Sequence, residues 1–173
     1  MDIKKTANSF ANFTIKRIAE IFGLTVFCAG ALLLLALITY SPEDPNFIFP
    51  ENTKIDNILG FQGSFVSDVF FQSIGLVSYF FSFTLIITGI NIIRSKEFFL
   101  IIENIFFAII YCIFGTLFFA HFYSEAFTLY INGNGGFIGA YLNQTFLNSI
   151  ILINEVIFYY FLIILNFFLF LIS

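Results

Sequence analysis

The sequence predicts an all-α integral membrane protein with four transmembrane helices, both termini in the cytoplasm, and two outer loops. Hydrophobic residues make up 60% of the 173 residues and charged residues only 10%, whereas a soluble domain carries about 25% charged residues. The apolar runs are continuous and do not alternate, so they predict helices and not barrel strands. Each run has close to the ~20 residues that a helix needs to cross a bilayer.

Charged residues divide the chain into apolar segments. Uncharged stretches of 22, 25 and 21 residues lie between Glu20 and Glu43, between Asp68 and Arg94, and between Glu103 and Glu125. A last apolar run follows a polar, glycine-rich stretch and reaches Ser173. We therefore predict a cytoplasmic tail over 1–17 and a four-helix membrane domain over 18–173. The predicted helices cover about 18–40, 65–93, 100–123 and 148–172.

Lysine and arginine set the predicted orientation, because cytoplasmic loops carry the excess of basic residues. The N-terminal tail and the segment between helices two and three hold six of them: Lys4, Lys5, Lys16, Arg17, Arg94 and Lys96. The other two loops hold only Lys54. Both termini are therefore predicted to be cytoplasmic, with residues 41–64 and 124–147 outside.

The first predicted helix stops abruptly at the sequence SPEDP, residues 41–45. Pro42 disfavours helical angles at the residue before it, and Pro45 lacks the N–H that a continuing helix would use. Asp44 is predicted to bond back within the turn in the manner of a capping box. Together with Glu43, it is also predicted to keep this turn in water.

Glycines mark the start of the second predicted helix and the third loop. Gly60 and Gly63 bracket the start of helix two, and Asp68 lies near its outer end. The third loop holds Gly135, Gly136 and Gly139. A phosphate cradle built on such glycines needs a preceding strand and usually a following lysine, and the sequence has neither. A turn followed by a short helix that leans into helix four is the favoured interpretation.

The fourth predicted helix carries polar residues along one line. Glu155, Tyr159, Asn166 and Ser173 return to nearly the same angle at 100° per residue. We interpret Glu155 and Asn166 as intramembrane polar residues, with Glu155 about five residues inside the outer boundary. Ionisable residues within membranes indicate function by default. Three roles for Glu155 stay open: interfacial packing, subunit contact, and proton or ion transfer.

The sequence predicts no catalytic, cofactor-binding or metal-ligating residues. It contains no HExxH, no GxSxG and no GxxxxGK[ST], so it holds no P-loop that would bind a nucleotide. The net charge of −4 argues against direct binding of nucleic acid by this segment.

An ordered set of residues resembles the N-terminal four-helix membrane domain of the FtsK/SpoIIIE family of septal DNA translocases. The set runs from about Arg17 to Leu142. It comprises the stretch from Tyr40 to Phe47, then Asn57, Leu59, Gly60, Gly63, Asp68, Phe71, Gly75 and Tyr79, and then Gly135, Gly136 and Gly139.

The resemblance implies a function for this segment. It implies a membrane anchor and septal-assembly module of a cell-division DNA translocase in the bacterial inner membrane. It also implies that this module forms a homo-hexamer. Other septal membrane proteins would be its partners. The ATP-driven motor of the family would lie C-terminal to Ser173, so the chain itself is predicted not to be an enzyme. Residues 41–68 and 124–147 are predicted to form the face that these partners contact. The candidates for a structural or partner-recognition role in these outer loops are Pro42, Asp44, Pro45, Gly60, Gly63, Asp68, Gly135, Gly136 and Gly139.

A second interpretation belongs to a different class of protein. It makes the chain an unrelated small multi-pass protein, such as a transporter subunit that uses Glu155.

Overall fold

The computed structural model describes residues 3–45, 54–124 and 132–173. Within these residues every regular element is an α-helix. Seven helices follow one another: α1 (Ile3–Ile38), α2 (Gly60–Ile74), α3 (Val77–Ser95), α4 (Leu100–Phe122), α5 (Gly136–Asn143), α6 (Phe146–Ile151) and α7 (Glu155–Ile172).

Four of the described helices are long and apolar enough to cross a membrane. These spans are Asn8–Ile38 within α1, Val77–Ser95, Leu100–Phe122 and Glu155–Ile172. This confirms the predicted fold class of an all-α membrane protein with four membrane-crossing helices. The predicted side of each terminus stays a prediction.

The bounds of three predicted helices differ from those of the structure. The helix predicted over 65–93 is two helices, α2 and α3, because the backbone at Gly75 has φ 58° and ψ −140°, which interrupts the helical path. The segment predicted over 148–172 contains a break between α6 and α7. The first helix begins at Ile3, so most of the predicted tail 1–17 is helical.

The spans α1 and α3 pack closely because glycines line their contact. A Cβ atom at Gly89 would lie 2.5 Å from the backbone nitrogen of Phe27, and one at Gly30 would lie 2.8 Å from that of Ile86. Small residues allow helix backbones in a membrane to approach in this way. Gly89 and Gly30 therefore leave no room for a side chain at this contact.

Interhelical hydrogen bonds join α3 to α4 inside the bundle. The Asn104 side-chain amide donates to the Thr88 hydroxyl at 2.8 Å, and the hydroxyls of Thr84 and Tyr111 lie 2.9 Å apart. All four residues are buried. Such bonds stabilise helix association where no water competes for the polar groups.

The last span, α7, packs along α4. Leu162 of α7 and Leu117 of α4 lie in one buried apolar cluster with Ile151 of α6. The spans thus adjoin in chain order: α1, α3, α4, α7. The shorter helices α2, α5 and α6 lie together at one end of the four-helix bundle. We name this end of the bundle the capped end.

A candidate functional site at the capped end

The carboxylate of Asp44 ties the turn after α1 to the segment before α2. Its two oxygens accept hydrogen bonds from the backbone N–H groups of Asp56 at 2.8 Å and Asn57 at 2.9 Å. Asp44 is only 4% exposed, so the prediction that its carboxylate stands in water is wrong, whereas Glu43 is exposed. Two charge-assisted bonds offset the cost of burying the carboxylate.

The side chain of Asp44 also does not cap its own turn as predicted. That turn is closed by a backbone hydrogen bond from the N–H of Asp44 to the carbonyl of Ser41 at 3.2 Å. Its carboxylate instead reaches partners twelve and thirteen residues later in the chain. Asp44 is therefore a long-range connector between two segments.

Asn57 completes this connection from the other side. Its amide nitrogen donates to the carbonyls of Ala36 at 2.9 Å and Thr39 at 3.2 Å, which lie at the C-terminal end of α1. The last carbonyls of a helix lack partners within the helix, so Asn57 supplies what the end of α1 needs. Asn57 was predicted only as one of the residues that carry the family resemblance, because the pattern of local residues does not reveal this role.

Small residues of α2 pack into the same site. A Cβ atom at Gly63 would lie 2.2 Å from Oδ1 of Asn57, so this position has no room for a side chain. The Ser64 hydroxyl donates to the carbonyl of Pro45 at 3.0 Å. Pro42, in contrast, is exposed.

Asp68 lies on the buried side of α2. It is 5% exposed, and its carboxylate accepts a hydrogen bond from the Tyr40 hydroxyl at 3.2 Å. The Tyr40 ring in turn packs on Phe71 with ring centres 4.9 Å apart. Asp68 therefore holds α2 against the last residues of α1.

At the junction of α2 and α3, the backbone around Gly75 packs directly against the backbone around Gly136. The N–H of Leu76 donates to the carbonyl of Asn134 at 2.9 Å. A Cβ atom at Gly75 would lie 1.9 Å from that carbonyl oxygen, and a Cβ atom at Gly136 would lie 2.6 Å from the backbone nitrogen of Gly75. Both glycines have positive φ, 58° and 64°. This contact therefore requires glycine at Gly75 and Gly136 for space and for conformation.

The remaining glycines of the third loop pack on α4. A Cβ atom at Gly135 or at Gly139 would lie 2.4 Å from the carbonyl oxygen of Thr116. The short helix predicted after this glycine turn is α5, but it packs chiefly on α4, the third span, and also on α2. It does not lean mainly on the fourth span as predicted, because Gly135 and Gly139 bring its backbone onto Thr116.

The polar line predicted on the fourth helix faces α4 and α3. Tyr159 and Tyr123 have hydroxyls 2.8 Å apart, and Ser173 Oγ lies 3.1 Å from Thr84 Oγ1. Asn166 donates to the carbonyl of Leu162 at 2.7 Å. This side of α7 is therefore used for packing within the chain.

Asn166 also borders a cavity of about 200 Å³ between α3, α4 and α7. Apart from Asn166, this cavity is lined by apolar and aromatic side chains and by Gly115. The Asn166 Oδ1 atom is buried without a hydrogen-bond partner.

Glu155 was predicted to lie about five residues inside the outer boundary of the fourth membrane helix, but the structure places it at the start of that helix. It is the first residue of α7, directly after the capping residue Asn154, whose side chain accepts a hydrogen bond from Ile157 at 3.1 Å. Glu155 is exposed. An acid in the first turn is favoured by the helix dipole, which accounts for this residue without ion transfer.

At the opposite end of the bundle, charges join α1 to the segment after α3. Glu20 pairs with Lys96 at 2.6 Å and with Arg17 at 2.5 Å. Exposed pairs of this kind contribute little stability, so we assign them to positioning the connection between α3 and α4.

The geometry of the capped end is that of a bonded junction between helices and the segments that connect them. Within the described residues, no three His, Cys, Asp or Glu side chains come close enough to hold a metal ion. The carboxylates of Asp44 and Asp68 are engaged by groups of the chain itself. These bonds hold α2 and the segment before it against the residues that follow α1.

Comparison with known proteins connects this arrangement to a family. Residues 15–172 match the family described as the 4TM region of DNA translocase FtsK/SpoIIIE. The chain is similar to the DNA translocase FtsK of Rhizobium meliloti (strain 1021), with 28% identity over 98 residues, which are 57% of this chain and 11% of that protein. It is also similar to the DNA translocase FtsK of Caulobacter vibrioides, with 35% identity over 79 residues, which are 46% of this chain and 10% of that protein.

These alignments cover about one tenth of the length of each relative. No solved structure matches the chain.

Proposed function

The chain belongs to the family of the 4TM region of FtsK/SpoIIIE DNA translocases, and from this premise we propose that it is the membrane anchor and septal-assembly module of a cell-division DNA translocase. The proposal places it in the bacterial inner membrane at the division septum, as a homo-hexamer that contacts other septal membrane proteins. DNA transport by an ATP-driven motor is assigned to the rest of such a protein and not to these residues.

One observation carries the proposal: the family match extends over residues 15–172. It therefore includes nearly all of the four spans and the whole of the described capped end. The residues that carried the resemblance also meet in space there, since the N–H of Asn57 bonds the carboxylate of Asp44 and Gly136 packs against Gly75.

The bonding pattern suggests how the anchor would work. Asp44 and Asp68 are buried and bonded within the chain, so they would act on partners indirectly, by fixing the shape of the capped end. Partners would contact the surface that segments 41–68 and 124–147 present, part of which lies outside the described residues.

The proposed orientation places the capped end outside the cytoplasm and both termini inside. It rests on the six basic residues of the tail and the segment after α3, compared with one in the outer loops. Reporter fusions test it: a cytoplasmic-type reporter at Lys96 should be active, and an active periplasmic-type reporter there would overturn the orientation.

Depletion in the source bacterium tests the function. Cells that lose the protein should fail to complete septation, and a fluorescent fusion should collect at the septum. Normal division after complete depletion would reject the proposal.

A pair of substitutions tests the role of the capped end within this function. Asp44→Ala and Gly136→Ala should reduce septal localisation, whereas Glu97→Ala, at an exposed position of the opposite end of the bundle, should leave it unchanged. Unchanged localisation of both test variants at normal protein levels would count against a partner-recognition role for the capped end.

The transporter interpretation is not favoured, because Glu155 is exposed at the start of α7. A transport flux that is abolished by Glu155→Gln would revive it.

A further inference from the structure

The exposed side of α2 is mostly apolar, while its buried side is mostly small or polar. The buried residues of the helix are Gly63, Ser64, Ser67, Asp68 and Phe71. The exposed apolar residues of α2 and of the residue pair before it are Ile58, Phe61, Val66 and Val69, with exposed fractions of 72%, 48%, 37% and 43%. We name these four residues the α2 patch. A helix between water and a protein core would show the reverse arrangement.

The α2 patch carries no charge and forms one continuous face. At 100° per residue, the three members that lie within α2, Phe61, Val66 and Val69, fall within an arc of about 140°, and Ile58 precedes the helix. The only ionisable residue of α2 is Asp68, and it is buried against Tyr40. The one exposed polar residue within the arc is Gln62. Isolated apolar residues on a surface need no explanation, but a contiguous face of this kind indicates a contact.

The α2 patch continues into the side of α1 that faces lipid. A cleft of about 320 Å³ is lined by Ala29, Leu32, Leu33 and Ala36 of α1 and by Leu59, Gln62, Gly63 and Val66 of the α2 region. Ala29 lies nine residues before the end of α1 at Ile38, which is about 14 Å along the helix axis. The cleft therefore follows the membrane-crossing part of α1, whose Leu32 and Leu35 are half exposed.

We propose that α2 is an interfacial helix whose patch of Ile58, Phe61, Val66 and Val69 lies in the lipid of the leaflet on the capped side. The contact is with phospholipid because the patch is apolar, uncharged and continuous with the lipid-facing surface of α1. Helices of this kind bury their apolar face about 5–10 Å into the boundary between headgroups and acyl chains. The polar side of α2 then faces the end of α1, where the hydroxyl of Ser64 and the carboxylate of Asp68 find their partners.

The absence of tryptophan from the sequence gives a direct test. Phe61→Trp and Val69→Trp each place a single fluorophore on the α2 patch of the whole chain, reconstituted in phosphatidylcholine vesicles. Fluorescence is quenched either by iodide in the water or by bromine atoms placed along the lipid acyl chains. Phe106→Trp, at a 59% exposed position of the span α4, is the lipid control. Asp56→Trp, at a position whose side chain is 61% exposed, is the water control.

The two variants on the α2 patch should resemble the lipid control. We expect iodide quenching several-fold weaker than in Asp56→Trp, and strong quenching by bromines near the headgroup end of the acyl chain. Iodide quenching equal to that of Asp56→Trp would show that the patch faces water and would overturn the proposal. Protection from both quenchers would show that protein covers the patch, either a second copy or another membrane protein, and would also overturn it.

A measurement on the unsubstituted chain covers the case in which a variant fails to fold. A phospholipid with a photoreactive group near the top of its acyl chain should label peptides that contain Ile58 and Val69. Absence of label there, with labelling of the α4 peptide that contains Phe106, would overturn the proposal.

Discussion

The carbonyl oxygen of Asn134 accepts a hydrogen bond from the backbone N–H of Leu76 at 2.9 Å, at the point where Gly75 separates α2 from α3. This contact joins the junction of α2 and α3 to the loop between α4 and α5, although the two residues are 58 positions apart in the chain. It makes the capped end one structure, in which each segment limits the conformation of the other.

The glycines at this contact should be intolerant of a methyl group. Gly75→Ala and Gly136→Ala each place a Cβ atom within 2.6 Å of backbone at a residue with positive φ. We expect a loss of about 2–5 kcal/mol in the free energy of unfolding, combining ~1–2 for the left-handed backbone with ~1–3 for overpacking. Reversible unfolding in mixed micelles measures it.

Gly60 provides the matched control for this prediction. It also has positive φ, 66°, but nothing lies within 4 Å of an added Cβ atom. Gly60→Ala should therefore cost only the conformational part, about 1–2 kcal/mol. Equal losses for Gly60→Ala and Gly75→Ala would show that the close approach to Asn134 contributes nothing.

Removal of the Asp44 carboxylate should destabilise the capped end. Asp44→Ala leaves the backbone N–H groups of Asp56 and Asn57 without their acceptor, and unsatisfied buried groups cost about 1–3 kcal/mol. Asp44→Asn, which keeps one acceptor oxygen, should fall between Asp44→Ala and the unsubstituted chain. Glu43→Ala serves as the control and should change the unfolding free energy little. The prediction fails if Glu43→Ala is as harmful as Asp44→Ala.

The hydroxyl of Thr84 should contribute measurably inside the bundle. It lies within hydrogen-bonding distance of Tyr111 and Ser173, and Thr84→Val removes both bonds while keeping the shape of the side chain. Interhelical hydrogen bonds in membranes contribute about 0.6 kcal/mol on average and at most about 1.7, so we expect a loss in this range.

Thr25→Val is the control for Thr84→Val, since the exposed Thr25 bonds only the carbonyl of Ile21 in its own helix. A loss in Thr25→Val that matches the loss in Thr84→Val would indicate an effect of valine itself and not of interhelical bonds.

Glu155→Gln should leave assembly and localisation unchanged. Because Glu155 is exposed in the first turn of α7, the loss of its charge removes only a helix-dipole interaction of about 0.3–1 kcal/mol. The measurements are unfolding free energy and septal localisation of a fluorescent fusion. A complete loss of localisation would instead assign Glu155 to a subunit or partner contact.

The sequence predicted two of the four spans, α1 and α4, within a few residues at their capped ends, but it merged α2 with α3 and α6 with α7. Both α2 and α3 are apolar, one because it crosses the membrane and the other because its exposed face is apolar. Hydropathy responds to both in the same way. Only the backbone angles of Gly75 and its contact with Asn134 separate them, and neither is visible in a local pattern.

The environment of Asp44 was predicted wrongly. Asp44 was predicted to stand in water because a charged residue next to prolines is typical of an exposed turn. Its burial depends on N–H groups twelve and thirteen residues away. The bonding role of the Asn57 side chain was not predicted for the same reason, because the carbonyls that it bonds lie at the end of α1.

The sequence by itself determined that this protein lies in a membrane, how many helices are long enough to cross it, and where prolines end the first of them. These properties follow from the apolar content of single segments and from the backbone limits of single residues. The tertiary structure alone decided that α2 is a separate helix with an outward apolar face. It also decided that Asp44 and Asp68 are buried and that the backbone of the third loop packs directly against Gly75. Each of these depends on backbone groups brought together from distant parts of the chain, whose N–H and carbonyl positions are specified only when the helices are packed.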